Sequence, residues 1–153
     1  MEKEEKYLEV LKFYQDNNYR IKEQNILTKM ANLLNLLKEK FQCFHWIGFY
    51  LLDGEKNELY LGPFIGSLAA NSIALNRGVC GYCARKKETV VVEDVSKFDG
   101  HIACSLSSRS EICVPLIINK KFYGLLDIDS NYLAYFDQVD KKYLELLVHQ
   151  IFE

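Results

Sequence analysis

A chain of 153 residues has the length of one domain, and at this size folding is expected to bury roughly 70% of the unfolded surface, enough for a single core. Hydrophobic residues at 49% and charged residues at 26% argue against disorder, and a formal net charge of -2, with lysines interleaved among glutamates, argues against a nucleic-acid partner. The first fourteen residues lack the apolar run of a signal peptide or membrane span, and five cysteines are too few and too odd in number for a secreted disulfide framework, so a cytoplasmic protein with reduced thiols and no membrane contact is expected.

Apolar residues recur at helical spacing over 5–14 and 22–41; in the second stretch Ile26, Leu27, Met30, Leu33, Leu34, Leu37 and Phe41 form one stripe. The pattern then becomes aromatic and β-branched over 43–52, and Asp53-Gly54 turns the chain into a second short strand at 58–61. Gly62-Pro63 and the weakly patterned 66–77 suggest irregular backbone, followed by a short helix at 79–87 and a strand at 89–93. Residues 94–110 read as a long loop, a feature usually functional or disordered in a compact domain. Two more strands, 111–119 and 122–130, precede a last amphipathic helix opened by Asp137 and carrying Val139, Tyr143, Leu144, Leu147 and Ile151 on its apolar side. The expected fold class is α+β: a central antiparallel sheet with the N- and C-terminal helices packed on one face and loops forming a pocket on the other.

Strand alternation decides which face each side chain takes. Ile112, Val114, Leu116 and Ile118 share one face of their strand, as do Phe122, Leu126 and Ile128 on the next, and these faces should meet the helices. Glu111, Cys113, Asp127 and Asp129 therefore project from the opposite face. A three-residue turn at Asn119, Lys120 and Lys121 sets Glu111 directly across from Asp129. Three acids so placed raise one another's pKa and would hold a proton or bind an ammonium group; the plainer reading is a solvated sheet face. Trp46 and Tyr50 share a face of the first long strand and could wall an apolar pocket or simply belong to the core.

The cysteines allow three readings. Cys80 and Cys83 have dithiol spacing, but the βαβ context of a thioredoxin fold is missing upstream. Together with His101 and Cys104 they could hold a zinc ion, although the spacing is not a familiar one. Alternatively Cys104, on the long loop and close in sequence to Glu111, is a nucleophile with Cys80 or Cys83 available for a disulfide. Cys43 and Cys113 look structural, with Cys113 a bystander on the acid face.

At this point the blocks HWIGFYLL at 45–52, LGPFIG at 61–66, RGVCG at 77–81, DGHIAC at 99–104, SEICVPL at 110–116 and LDIDS at 126–130 resemble the free methionine-(R)-sulfoxide reductases, which are single GAF domains. The resemblance covers nearly the whole chain beyond the first helix, and six blocks in order are far more specific than any one. It implies one GAF-like domain over residues 1–153, Cys104 as the catalytic cysteine and Cys80 as a resolving cysteine. It further implies that Glu111, Asp127 and Asp129 hold the sulfoxide and amino groups, and that Trp46 and Tyr50 line the S-methyl side of the pocket. No metal or organic cofactor is implied; the partners are free methionine sulfoxide and a thioredoxin-type reductant, and the assembly a homodimer. Where many members carry a further cysteine, this chain has Ala70, so that Cys80 resolves alone or with Cys83 as an auxiliary thiol. The competing class is a non-catalytic GAF module that binds a small ligand or senses redox state; such a sensor normally carries an effector domain, for which this chain has no room. A third is an interaction protein with a structural zinc.

Overall fold

The computed structural model describes residues 1–100 and 107–153. Five α-helices, α1 (Lys3–Asp16), α2 (Asn18–Ile21), α3 (Ile26–Lys40), α4 (Gly78–Lys86) and α5 (Gln138–Phe152), and a 3-10 turn at Val95–Lys97 accompany six strands among these residues. The strands are β1 (Trp46–Asp53), β2 (Glu58–Ile65), β3 (Ser72–Ala74), β4 (Val90–Val92), β5 (Ser110–Ile118) and β6 (Lys121–Ser130). They form one sheet in the order β3-β2-β1-β6-β5-β4, antiparallel at every junction.

The long helices α1, α3 and α5 cover one face. Leu33, Leu34 and Leu37 of α3 and Tyr143, Leu144 and Leu147 of α5 close there over Ile47 and Phe49 of β1, Ile112 and Val114 of β5, and Leu126 and Ile128 of β6. Leu27 is the exception to the predicted stripe: it lies in the first turn of α3, beyond the edge of the core, and is exposed. Asn25 caps α3 by accepting a hydrogen bond from the Thr28 amide, which moves the helix start four residues past the position that hydrophobic spacing suggested. Asp137 caps α5 in a reciprocal box with Asp140. The buried Asp140 carboxylate also accepts from the Tyr7 hydroxyl at 2.6 Å and pairs with Lys3 at 2.7 Å, which ties the first helix to the last.

The opposite face is covered by the short α4. Val79, Cys80, Cys83 and Ala84 pack there with Trp46, Tyr50, Ile73, Cys113 and Leu125. The stretch expected to be irregular contains β3, which pairs Ile73 with Leu59, and β2 runs on through Pro63 to Ile65. Proline is tolerated because the β1–β2 register shifts between Gly48 and Tyr50, so that β2 carries one more residue than its partner around Gly62 and Pro63.

The β5–β6 turn also departs from expectation. Ile118 pairs with Lys121, leaving only Asn119 and Lys120 in the turn, both with positive φ (52° and 66°) as a type I′ hairpin demands. The third residue sits instead in the strand: Leu116 pairs with Gly124 but Ile117 with Phe122, so Tyr123 is a bulge. The count between Glu111 and Asp129 is unchanged and their pairing is as predicted. Phe122, however, lies beyond the bulge and is turned to the α4 face, not to the three long helices. Among the described residues no helix is long and apolar enough to cross a membrane.

Candidate active site

Two rows of side chains run across the α4 face. One passes from Val92 through Glu111 and Asp129 to Trp46; the next passes from Val90 through Cys113 and Asp127 to Gly48. Strand alternation thus delivers Glu111, Asp127 and Asp129 to one patch, and all three are almost fully buried, with Glu111 2% exposed. The solvated-face reading of these acids is therefore excluded. Of the predicted site residues, Cys104 and His101 lie outside the described residues.

Cys80 reaches this patch from the first turn of α4. Its Sγ lies 3.9 Å from Glu111 Oε2 and 3.7 Å from Cys113 Sγ. The Cys113 thiol is 3.2 Å from Asp127 Oδ1 and 3.6 Å from Glu111 Oε2. Cys113 thus lies at the centre of the cluster, on the acid face where strand alternation put it, with β4 and β6 enclosing it from either side. Cys83, one helical turn after Cys80, is fully buried in the same apolar layer.

Burial dominates the electrostatics. It pushes the Glu111 carboxyl up to about 8, with the charge of Asp129 adding to the effect, and raises Asp127 well above the carboxylate range, with Glu111 adding. Glu111 and Asp127 are hydrogen-bonded to each other, which requires that one of them carry a proton. For Cys80 the contact with Cys113 favours the thiolate, but burial and the charges of Asp127 and Glu111 outweigh it and leave the pKa well above that of an ordinary thiol. Burial likewise raises Cys113 and Cys83. At neutral pH the floor of the site is a protonated acid surrounded by neutral thiols. Such a floor can donate a proton to a leaving oxygen and can receive one afterwards.

Trp46 and Tyr50 wall the patch on the β1 side, their rings 6.2 Å apart, and Phe64 stacks on the outer side of the indole at 5.6 Å. Two backbone carbonyls hold them: the Trp46 indole N–H donates to Ser67 O at 3.0 Å and the Tyr50 hydroxyl to Ala70 O at 2.9 Å. These anchors have no side-chain signature, so the sequence pattern could not mark them. Space for the indole comes from glycine: a Cβ on Gly48 would lie 2.6 Å from Trp46 Cη2, and one on Gly66 2.5 Å from Cδ1. A cavity of about 490 Å³ lined by Asn76, Arg77, Tyr82, Phe98 and Asp99 opens beside the start of α4, and none of Glu111, Asp127 and Asp129 lines it.

The GAF domain family matches residues 14–152. GAF domain-containing protein A of Dictyostelium discoideum is 49% identical over 80% of this chain and 76% of its own length. The free methionine-R-sulfoxide reductase of Escherichia coli (strain K12) is 43% identical over 84% of this chain and 77% of its own. Among solved structures, the free methionine-R-sulfoxide reductase of Neisseria meningitidis in complex with its substrate superposes with a TM-score of 0.91 at 43% identity, covering 99% of this chain and 89% of that one.

Proposed function

The chain belongs to the GAF domain family and within it to the free methionine-R-sulfoxide reductases, and from that premise we propose that Cys104 is the nucleophile, Cys80 the resolving thiol and Glu111 the proton carrier between them. The activity is that of an oxidoreductase: free methionine (R)-sulfoxide is reduced to methionine. One observation carries the assignment of roles, namely the burial of Glu111 beside both Asp129 and the Cys80 thiol, which gives an acid protonated at neutral pH within reach of a second sulfur.

Cys104 thiolate attacks the sulfoxide sulfur, and Glu111 gives its proton to the departing oxygen; methionine leaves and Cys104 becomes a sulfenic acid. Glu111 is now a carboxylate 3.9 Å from the Cys80 sulfur. It accepts the Cys80 proton, the thiolate attacks the sulfenic sulfur, and Glu111 passes that proton to the leaving hydroxide, so that water departs as the Cys80–Cys104 disulfide forms. A burial-raised thiol pKa suits this order, because Cys80 stays protonated until Glu111 has been emptied. Asp127 and Asp129 hold the substrate's ammonium group, and Trp46 and Tyr50 take its S-methyl side. Cys83, in the same layer, is the auxiliary thiol if Cys80 is bypassed.

The proposal treats residues 1–153 as one GAF domain working as a homodimer in the cytoplasm, where thiols stay reduced. It needs no metal or organic cofactor, since a thioredoxin-type dithiol protein returns the disulfide to two thiols by exchange. Thiol counting by mass spectrometry after addition of free methionine (R)-sulfoxide tests it. Two thiols should disappear per chain, in a Cys80–Cys104 disulfide. Continued turnover by Cys104→Ser, or ligand binding with no loss of thiols, overturns it.

A further inference from the structure

Beyond catalysis, the four donor atoms that meet under α4 have the shape of a metal site. In a tetrahedral zinc centre with Zn–S bonds of about 2.3 Å and Zn–O bonds of about 2.0 Å, sulfur–sulfur edges measure about 3.8 Å and sulfur–oxygen edges about 3.5 Å. Here the Cys80–Cys113 edge is 3.7 Å, Cys113 to Glu111 3.6 Å, Cys80 to Glu111 3.9 Å and Cys113 to Asp127 3.2 Å. One ligand atom from each of the four residues lies within 4.8 Å of all the others, and all four residues are buried. We propose that the reduced protein binds one thiophilic divalent cation, Zn²⁺ or Cd²⁺, between Cys80, Cys113, Glu111 and Asp127, and that the bound ion blocks reduction of methionine sulfoxide.

The set is chemically coherent. Two thiolates select a soft or borderline ion over Mg²⁺ or Ca²⁺, and two carboxylates complete a closed shell of four with no position left for water. It differs from the set of Cys80, Cys83, His101 and Cys104 that the sequence suggested: Cys113 stands in place of Cys83, and Glu111 and Asp127 supply the other two donors. Helical geometry explains the exchange: Cys83 lies a turn farther along α4, whereas β5 carries Cys113 directly beneath Cys80. Occupation displaces the two thiol protons and the proton held between Glu111 and Asp127, so the ion enters a complex of two thiolates and two carboxylates with release of three protons, and binding weakens as pH falls. Inhibition follows if Glu111 and Cys80 act as proposed above, and to that extent it rests on the reductase reading; binding does not.

The two failures are kept separate by measuring binding on the resting reduced protein without substrate. Titration with Co²⁺ as a spectroscopic stand-in should give one equivalent with thiolate-to-metal charge transfer, the visible bands of a tetrahedral ion and proton release, and one equivalent of Zn²⁺ should then displace it with no further protons released. Cys113→Ser and Cys80→Ser should each weaken Zn²⁺ by at least the roughly 10- to 100-fold that loss of an outer-shell partner costs, whereas Cys43→Ser should bind as the parent does. Turnover is then followed against Zn²⁺ for each protein relative to its own zinc-free rate, and the inhibition should fade in Cys113→Ser. Absence of a cobalt–thiolate spectrum from the parent protein, or a Cys113→Ser variant that keeps its Zn²⁺ affinity, overturns the site.

Discussion

Glu111 and Asp129 face each other across β5 and β6, one 2% and the other 1% exposed. Two buried carboxyls so placed cannot both ionise cheaply, and Glu111 holds its proton to about pH 8. The first prediction concerns rate. As pH rises through about 8 the acid is spent, and kcat should fall with it. Glu111→Gln keeps the shape but carries no transferable proton, so it should lose roughly 10²- to 10⁴-fold in kcat, the usual worth of a positioned acid. Its pH profile should lack the parent's alkaline limb. Profiles of kcat for the two proteins check this; an unchanged limb in the variant removes Glu111 from the proton path.

The same proton has a consequence for stability. Folding raises the Glu111 pKa from 4.5 to about 8, so between those values the folded state binds a proton that the unfolded chain has lost. The stability it contributes is complete below about pH 4.5 and is lost as pH rises through about 8. Asp129→Asn removes the facing charge while leaving an amide able to donate to Glu111, and should therefore raise Tm at pH 8 while lowering affinity for the substrate. For a chain of this length each kcal/mol gained is worth about 3 °C. Calorimetry at pH 5 and pH 8 measures the effect: the gain should be larger at pH 8, and a lower Tm there would sink the explanation.

Gly66 has φ of +138° and lies against the indole edge of Trp46. Gly66→Ala strains the backbone and forces the ring away from the Ser67 carbonyl that holds it. If Trp46 walls the substrate pocket, KM should rise by more than kcat falls. Trp46 is the only tryptophan of the chain, so its emission reports the displacement directly, as a red shift expected in the folded variant. An unshifted spectrum with a raised KM would place the defect elsewhere.

Much of this site could be read in the chain because strand alternation is rigid: with Ile112, Val114, Leu126 and Ile128 committed to the core, Glu111, Cys113, Asp127 and Asp129 had nowhere else to point. What escaped depended on contacts between distant segments. The closeness of Cys80 and Cys113 arises from how α4 lies over β5, and no local pattern encodes it. β3 is three residues long and is held by β2, so propensity alone could not mark it. Leu27 and Phe122 were misassigned for related reasons. The helical stripe of α3 continues past the edge of the core that covers it, and period two fails after a bulge.

That bulge provides the last prediction. Seventeen residues separate Glu111 from Asp129. A pairing that sets these two opposite each other can use seven residues on each side of a three-residue turn, or seven and eight around a two-residue turn with one bulged. The protein does the second, because Asn119 and Lys120 adopt the left-handed backbone of the tighter turn and Tyr123 is put out of register. Deleting Tyr123 leaves seven, two and seven. Leu116 would still pair with residue 124, Ile117 with Phe122 and Ile118 with Lys121, so every contact upstream of the bulge is conserved. The deletion should therefore be tolerated, with Glu111 still opposite Asp129 and methionine sulfoxide reduction within a few-fold of the parent. Cross-strand amide and α-proton contacts by NMR, together with the rate, test it. If the shortened protein folds but pairs Glu111 with Ile128, the acids have parted and the rate should collapse, which would mean that the bulge and not the residue count holds the register.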